Sequence, residues 1–301
     1  MKITYGIATN NIDVTSICLA KMKKDHYLII PSNDNVRCNY FGDPLLGTLK
    51  SIFITVDGIT TEYNDSKKIF FDLTTNLVLD PVPESVRLLD VDERLADIHK
   101  KLILLHGSFQ DEFPEQRMAV QYIHANSKVL EIGGNIGRNS LIIASLLTNQ
   151  LDMVVLETDP GIAYQLRQNR DQNRLDFHIE NSALSIRKLI QKGWDTMVSD
   201  ELLPGYIPVS IISYDKLVEK YKIQFDTLVL DCEGAFYYIV QDMPEVLNGI
   251  KTIIMENDYH IIDHKNEVDR ILRSHGFEVD YQEAGGWGPC KNRFFEVWKR
   301  V

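Results

Sequence analysis

The sequence predicts an α/β chain: a mostly parallel, seven-stranded sheet covered by helices on both faces, closed by an antiparallel C-terminal hairpin and preceded by a small all-β domain. Three observations carry that prediction. From Lys128 onward, short apolar runs alternate with helix-length segments, the pattern of strands buried on both faces by crossover helices. The last two runs are separated only by residues 283–292, with three glycines and a proline, so they pair as a hairpin. Residues 1 to about 75 hold only strand-length runs between turn clusters.

In that first region the candidate strands are 3–7, 26–30, 51–56, 60–63 and 68–73. Asp57-Gly58 is a hairpin signal, and Asn33-Asp34-Asn35, Gly42-Asp43-Pro44 and Asn64-Asp65-Ser66 read as turns. The domain is expected over 1–76, as a β-sandwich or β-barrel with no catalytic cluster. Its aromatics and Asn/Asp turns suit carbohydrate or protein contact. The oligomeric state is left open, with a homo-oligomer through this domain one option. Pro81 and Pro83 mark a linker, and Leu88, Leu89, Val91, Leu95, Ile98, Leu102 and Leu105 recur at helical spacing. Linker and helix fill 77–113. Pro114 suits the first position of the next helix, and the main domain spans 114–301.

There the candidate strands are 128–132, 153–157, 176–180, 227–231, 252–256, 278–282 and 293–298. Helices are expected over 140–147, 161–173, 214–221, 236–243 and 265–276.

Composition narrows the function classes. The net charge is −11, opposite to the basic footprint that nucleic-acid binding needs, so neither nucleic acid nor an anionic membrane surface is an expected partner. Four cysteines, Cys18, Cys38, Cys232 and Cys290, are scattered without a C-x-x-C pair, which reads as reduced thiols in the cytoplasm. The first residues lack a signal-peptide core and nothing resembles a membrane span.

The chemistry concentrates at the predicted strand ends. Residues 128–140, KVLEIGGNIGRNS, read as strand, glycine-rich turn and helix start, a cradle for a small cofactor. The dinucleotide pattern G-x-G-x-x-G fails because Ile132 stands at its first glycine. What remains is acid-x-Gly-x-x-x-Gly, Glu131, Gly133 and Gly137, similar to motif I of class I S-adenosylmethionine (SAM) methyltransferases. Gly134 and Asn135 complete the candidate cradle. Glu157 ends the next apolar strand 20 residues after Gly137, where a carboxylate can accept both ribose hydroxyls. Ser182 and Ala183 follow the third strand and suit the adenine edge. Asp231-Cys232-Glu233-Gly234 closes the fourth. Two carboxylates there suit an alcohol nucleophile, whose proton a base must take.

Together, VLEIGGNIG, the strand-end Glu157, NSALS, TLVLDCEGAF and IIMEND resemble the FkbM family of SAM-dependent methyltransferases over about residues 110–300. Glu131 replaces the family's usual Asp and Gly134 its usual Ala. The domain pairing and the closing GGWGPC…FFEVW are similar to glycan-modifying methyltransferases of large DNA viruses, which implies a host cytoplasm. The resemblance implies a Rossmann-like class I fold, SAM as cofactor and O-methylation of a sugar or polyketide hydroxyl in a small-molecule or glycan acceptor. Asp231 is the first candidate base, Glu233 the second and His260, which titrates near neutrality, the third. Glu256, Tyr259, Trp287 and Arg293 are the candidate acceptor-binding residues. Oxygen ligands from Asp231, Asp258 and His260 make Mg²⁺ conceivable, but no spacing is diagnostic and no metal site is assigned. An RNA 2′-O-methyltransferase and a non-catalytic scaffold are the competing readings.

Overall fold

Period-two burial explains the first strands: in Lys2–Ile7 the inward residues Ile3 and Tyr5 are fully buried, as is Ile52 in Ser51–Val56. A computed structural model describes residues 1–193 and 195–301. Two units result, Met1–Arg94 and Leu95–Val301.

The first unit holds two four-stranded sheets. One runs Asn10–Asp13, Lys2–Ile7, Ser51–Val56, Ile59–Tyr63; the other runs Lys23–Lys24, Tyr27–Ile30, Ile69–Asp72, Leu77–Val78. All pairs are antiparallel. Ile3, Tyr5, Leu28, Ile30, Ile52, Ile54 and Phe71 share one core. Two helices, Thr15–Lys21 and Asp34–Phe41, add to the expected strands. The Asn33-Asp34-Asn35 cluster, read as a turn, is a helix cap: the Asn33 side chain accepts the Asn35 N–H at 2.9 Å. The unit also extends past residue 76, because Val82, Val86 and Leu89 pack against Ile29 and Phe70. In place of one long helix over 87–105 there are two short ones, Glu84–Arg87 and Val91–His99.

The second unit is built on strands β1 (Val129–Ile132), β2 (Met153–Leu156), β3 (His178–Glu180), β4 (Thr227–Leu230), β5 (Thr252–Glu256), β6 (Phe277–Glu283) and β7 (Phe295–Arg300). Their order is 3-2-1-4-5-7-6. β1 to β5 are parallel, and β7 runs antiparallel to both β5 and β6. This is a Rossmann-like mixed sheet with the reversed last strand that the hairpin signal predicts. Every residue of β1, β2 and β4 is buried, which is why these strands read as apolar runs rather than alternations. Strand order reverses between β1 and β4, so a crevice opens at their C-terminal ends.

The helices are α1 (Phe113–Tyr122), α2 (Arg138–Leu146), α3 (Pro160–Gln172), α4 (Tyr214–Tyr221), α5 (Phe236–Asp242) and α6 (Ile262–Ser274). Asp159 caps α3, accepting from Gly161 and Ile162 N–H, with Pro160 in the first turn. α6 is tied down by Lys265, which is fully buried, pairs with Asp269 and meets Glu296 at 2.6 Å. Trp298 Nε1 donates to the same Glu296 at 3.0 Å.

Residues 183–212 depart from the expected layout. Ala183–Leu184 pairs parallel with Ile211–Ile212, and Leu189–Lys192 forms a three-stranded antiparallel sheet with Asp195–Val198 and Ile207–Val209. This insertion lies between β3 and α4, a stretch to which the sequence reading gives no element.

Candidate active site

The turn after β1 folds over the end of β2. The N–H groups of Gly133 and Gly134 both donate to the Leu156 carbonyl, at 3.0 and 2.9 Å. Gly133 has φ +91°, and a Cβ there would lie 1.6 Å from the Asp231 carbonyl oxygen at the end of β4. Only glycine allows this approach. Gly137, at φ +93°, turns the chain into α2. Gly134 faces Val155; it and Gly137 shape the turn from behind, while Gly133 and Asn135 line a cleft of about 1530 Å³.

Glu157 stands at the tip of β2. Its Oε2 accepts the Asn135 N–H at 2.9 Å and its Oε1 the Asp159 N–H at 2.8 Å. Burial pushes its carboxyl up, and these N–H groups oppose that rise. The Thr158 hydroxyl donates to Oε1 as well, at 3.5 Å, and Glu157 itself lines the cleft. Asn181 Nδ2 ties the loops together by donating to the carbonyls of Glu157 and Thr158, at 2.7 and 3.1 Å. Ser182 and Ala183 follow it into the cleft wall.

Glu131 does not reach the cleft, contrary to the expectation from the motif. It lies inside β1 rather than at its tip, is 2% exposed, and accepts the Ser140 hydroxyl at 2.5 Å. Burial pushes it up to about 8.

At the end of β4, Glu233 and Gly234 both take positive φ, +51° and +76°. For Glu233 that is an uncommon conformation for a side-chain-bearing residue. Asp258, after β5, holds this turn. Its carboxylate accepts the Glu233 N–H and the Gly234 N–H, the latter at 2.7 Å. Burial and then Glu233 push Asp258 up to about 7, with the two N–H groups opposing.

The cleft wall above β4 and β5 is carboxylate-rich. Asp231, Glu233 and Glu256 line it, joined by Glu112 and Glu115 at the start of α1. Asp231 is driven well above the usual carboxylate range by burial first, then by Asp258, Glu112, Glu115 and Glu233. Burial followed by its contact with Glu115 pushes Glu256 up to about 11. Glu112 is raised by burial although Arg138 lies 2.6 Å away. Sequence reasoning missed Glu112 and Glu115 as site residues; their only signal was an acidic helix start, which also serves the helix dipole. Asp258 was seen only as a metal ligand. Among the described residues no group of three or more His, Cys, Asp or Glu is arranged to hold a metal ion.

His260 and Trp287 meet at the cleft with ring centroids 4.6 Å apart. Trp287 is 42% exposed. Two expected acceptor contacts lie elsewhere. Tyr259 is 3% exposed and packs in the main core. Arg293 is taken up by Asp269 at 2.6 Å and Asn266 at 3.2 Å, because the chain reverses there and sends the guanidinium toward α6. The insertion supplies the opposite wall, including Leu189, Gln191, Met197 and Val198. Arg187, also in that wall, is held bidentate by Asp242 at 2.5 and 2.6 Å.

No family model matches the sequence, and no curated protein matches it either. Among solved structures, the chain is similar to a ribosomal protein L11 methylase from Lactobacillus delbrueckii subsp. bulgaricus, at 11% identity and a TM-score of 0.43, over 65% of this chain and 80% of that one. It is similar to a candidate O-methyltransferase from Klebsiella pneumoniae at 15% identity and a TM-score of 0.40, over 70% and 89% of the two chains. An rRNA methylase from Streptococcus thermophilus aligns at 6% identity and a TM-score of 0.39, over 62% and 95%. Likeness at this level names no substrate. No helix among the described residues is long and apolar enough to cross a membrane.

Proposed function

We propose that the protein is a SAM-dependent O-methyltransferase acting on a sugar hydroxyl, in a glycan or a nucleotide-sugar. The observation that carries this is the pairing of Glu157 with the β1 turn: a buried carboxylate at the tip of β2, fixed by two backbone N–H groups and lining the cleft. That arrangement fits a ribose diol. Ser182 and Ala183 would flank the adenine, and Gly133 and Asn135 the remainder of the cofactor. Bound SAM supplies an electrophilic methyl group on a sulfonium.

The chain's own residues do the rest. Asp231 sits at the switch point, one strand from the cofactor turn, where it can take the proton of an attacking hydroxyl. Asp258 holds the Asp231–Gly234 turn through two N–H acceptor contacts and so positions the base. Methyl transfer depends mainly on alignment of oxygen, carbon and sulfur, and the rigid turns at β1 and β4 supply it. Trp287 offers a flat face for a sugar ring. The acidic wall repels a polyanion, which weighs against the RNA reading. The motif resemblance to the FkbM family supports oxygen as the acceptor atom.

Titration calorimetry with SAM tests the reading: no heat at high micromolar cofactor removes it. Glu157→Ala should weaken SAM binding about tenfold or more, the loss of charged hydrogen bonds. Mass spectrometry of sugars and nucleotide-sugars incubated with enzyme and isotopically labelled SAM should find a methyl group on oxygen.

A further inference from the structure

The insertion over 183–212 gives the cleft a wall unlike the carboxylates above β4 and β5. Opposed residues of an antiparallel pair share a face. The register of its three strands therefore sets two rows on one side: Val198, Leu189, Val209 and Thr196, Gln191, Ile207. Leu189, Gln191, Thr196 and Val198 line the cleft. Ile239 of α5 and Met243 just after it line it too, and the Arg187–Asp242 pair ties the insertion to that helix. Gln191 buries an amide in this wall and is 5% exposed. Its Nε2 donates to the Gly193 carbonyl at 2.9 Å, which fixes the amide and leaves Oε1 as its free end. Oε1 is buried, and no donor among the described residues reaches it. An unpaired buried acceptor costs about 1–3 kcal/mol, so this oxygen calls for a donor carried by a ligand.

Position and chemistry together say which ligand. Residues 207–212 pair with Ala183 at Ile211 and with Gln191 at Ile207. Four residues of strand separate those two levels, about 13 Å at 3.3 Å per residue. A purine lying against Ala183, met by an extended glutamine side chain, bridges a gap of that size. The ligand here must be apolar over most of its surface, to suit Leu189, Ile239 and Met243, and must present a donor to Gln191. An aliphatic chain leaves Oε1 unpaired, and a sugar sets its hydroxyls against apolar side chains, which costs free energy. Adenine meets both demands: its ring faces are apolar and its 6-amino group is a donor.

We propose, resting on the methyltransferase reading, that Gln191 is the residue that selects adenine in the cofactor: its Oε1 accepts from the 6-amino group while the ring lies along the insertion wall beside Ala183. The insertion then belongs to the cofactor half of the cleft, and the acidic wall is left to the acceptor.

The test is calorimetry on the full chain with S-adenosylhomocysteine and with its analogue whose base is unsubstituted purine, lacking only the 6-amino group. The wild type should bind S-adenosylhomocysteine about tenfold tighter, the worth of one hydrogen bond to a buried acceptor. Gln191→Leu should bring the two affinities within about twofold of each other, and Gln191→Met, closer in shape, should do the same. The readout is the ratio of two affinities, so a variant that is only partly folded still gives it. Equal binding of the two compounds by the wild type overturns the proposal. So does a tenfold preference that survives in both variants, which would place the selection of adenine on other residues. Failure of S-adenosylhomocysteine and SAM to bind the wild type at all is a separate result and removes the methyltransferase reading itself.

Discussion

At Gly133 the chain accepts no side chain. A positive φ alone costs about 1–2 kcal/mol for a residue with a Cβ, and the Asp231 carbonyl occupies the place of that Cβ. Gly133→Ala should therefore lower the melting temperature and the SAM affinity together, read by thermal unfolding with and without cofactor. Asp231→Asn should behave oppositely: SAM affinity stays within about twofold while kcat falls about 10²-fold or more, as for a lost general base. Full activity in that variant would move the base to Glu233 or His260. At this scale the sequence located the strand ends at which Glu157 and Asp231 stand. It misled where an acid lies inside a strand: Glu131 belongs to β1 itself, and its side chain goes to Ser140. Tyr259 and Arg293 follow strand ends in sequence, but the direction in which a side chain leaves a loop is set by packing against α6 and the core, which no local pattern encodes.

Elements fix what single residues cannot. The β4 turn is held from β5 by Asp258, so this one carboxylate couples two loops 25 residues apart. Asp258→Asn keeps the size but loses one acceptor oxygen and one negative charge beside Asp231. Because Asp258 raises Asp231, the acidic limb of the kcat–pH profile should shift to lower pH in that variant, and kcat at its plateau should fall as the turn loosens. A limb that stays in place would mean Asp231 is not the titrating base. On α6, Lys265 neutralises Asp269 and Glu296 in a fully buried setting. Lys265→Met should cost about 3–5 kcal/mol by urea unfolding, since it leaves a buried charge uncompensated. The order of strands and helices in the second unit was readable from apolar runs and the helix-free hairpin. The insertion over 183–212 was not, because its strands are two to four residues long and largely exposed.

For the whole molecule, buried carboxyls set the pH dependence of stability. Glu131 rises from 4.5 to about 8 and Asp258 from 3.8 to about 7 on folding. A carboxyl raised in this way holds its proton more tightly in the folded chain than in the unfolded one. Its contribution is complete below the unfolded value and is lost as pH climbs to the folded one. As far as these groups are concerned, the melting temperature should therefore be highest below the unfolded values of 3.8 and 4.5 and decline as pH rises to about 8. Glu131→Gln, which keeps an acceptor for Ser140, should flatten that decline and gain stability at pH 8 relative to the wild type. A parallel decline in both proteins would show that Glu131 ionises freely.

The contact between Gly133 and the Asp231 carbonyl also bears on how errors propagate. Two loops that meet backbone to backbone, with no side chain as a cushion, share one frame of reference. On the proposed reading, the turn that would hold the cofactor and the candidate base Asp231 are therefore joined by a backbone contact. The same closeness makes the junction intolerant of change: there is room for other side chains in the exposed strands of the insertion, but none at the Gly133 position of the seam between β1 and β4.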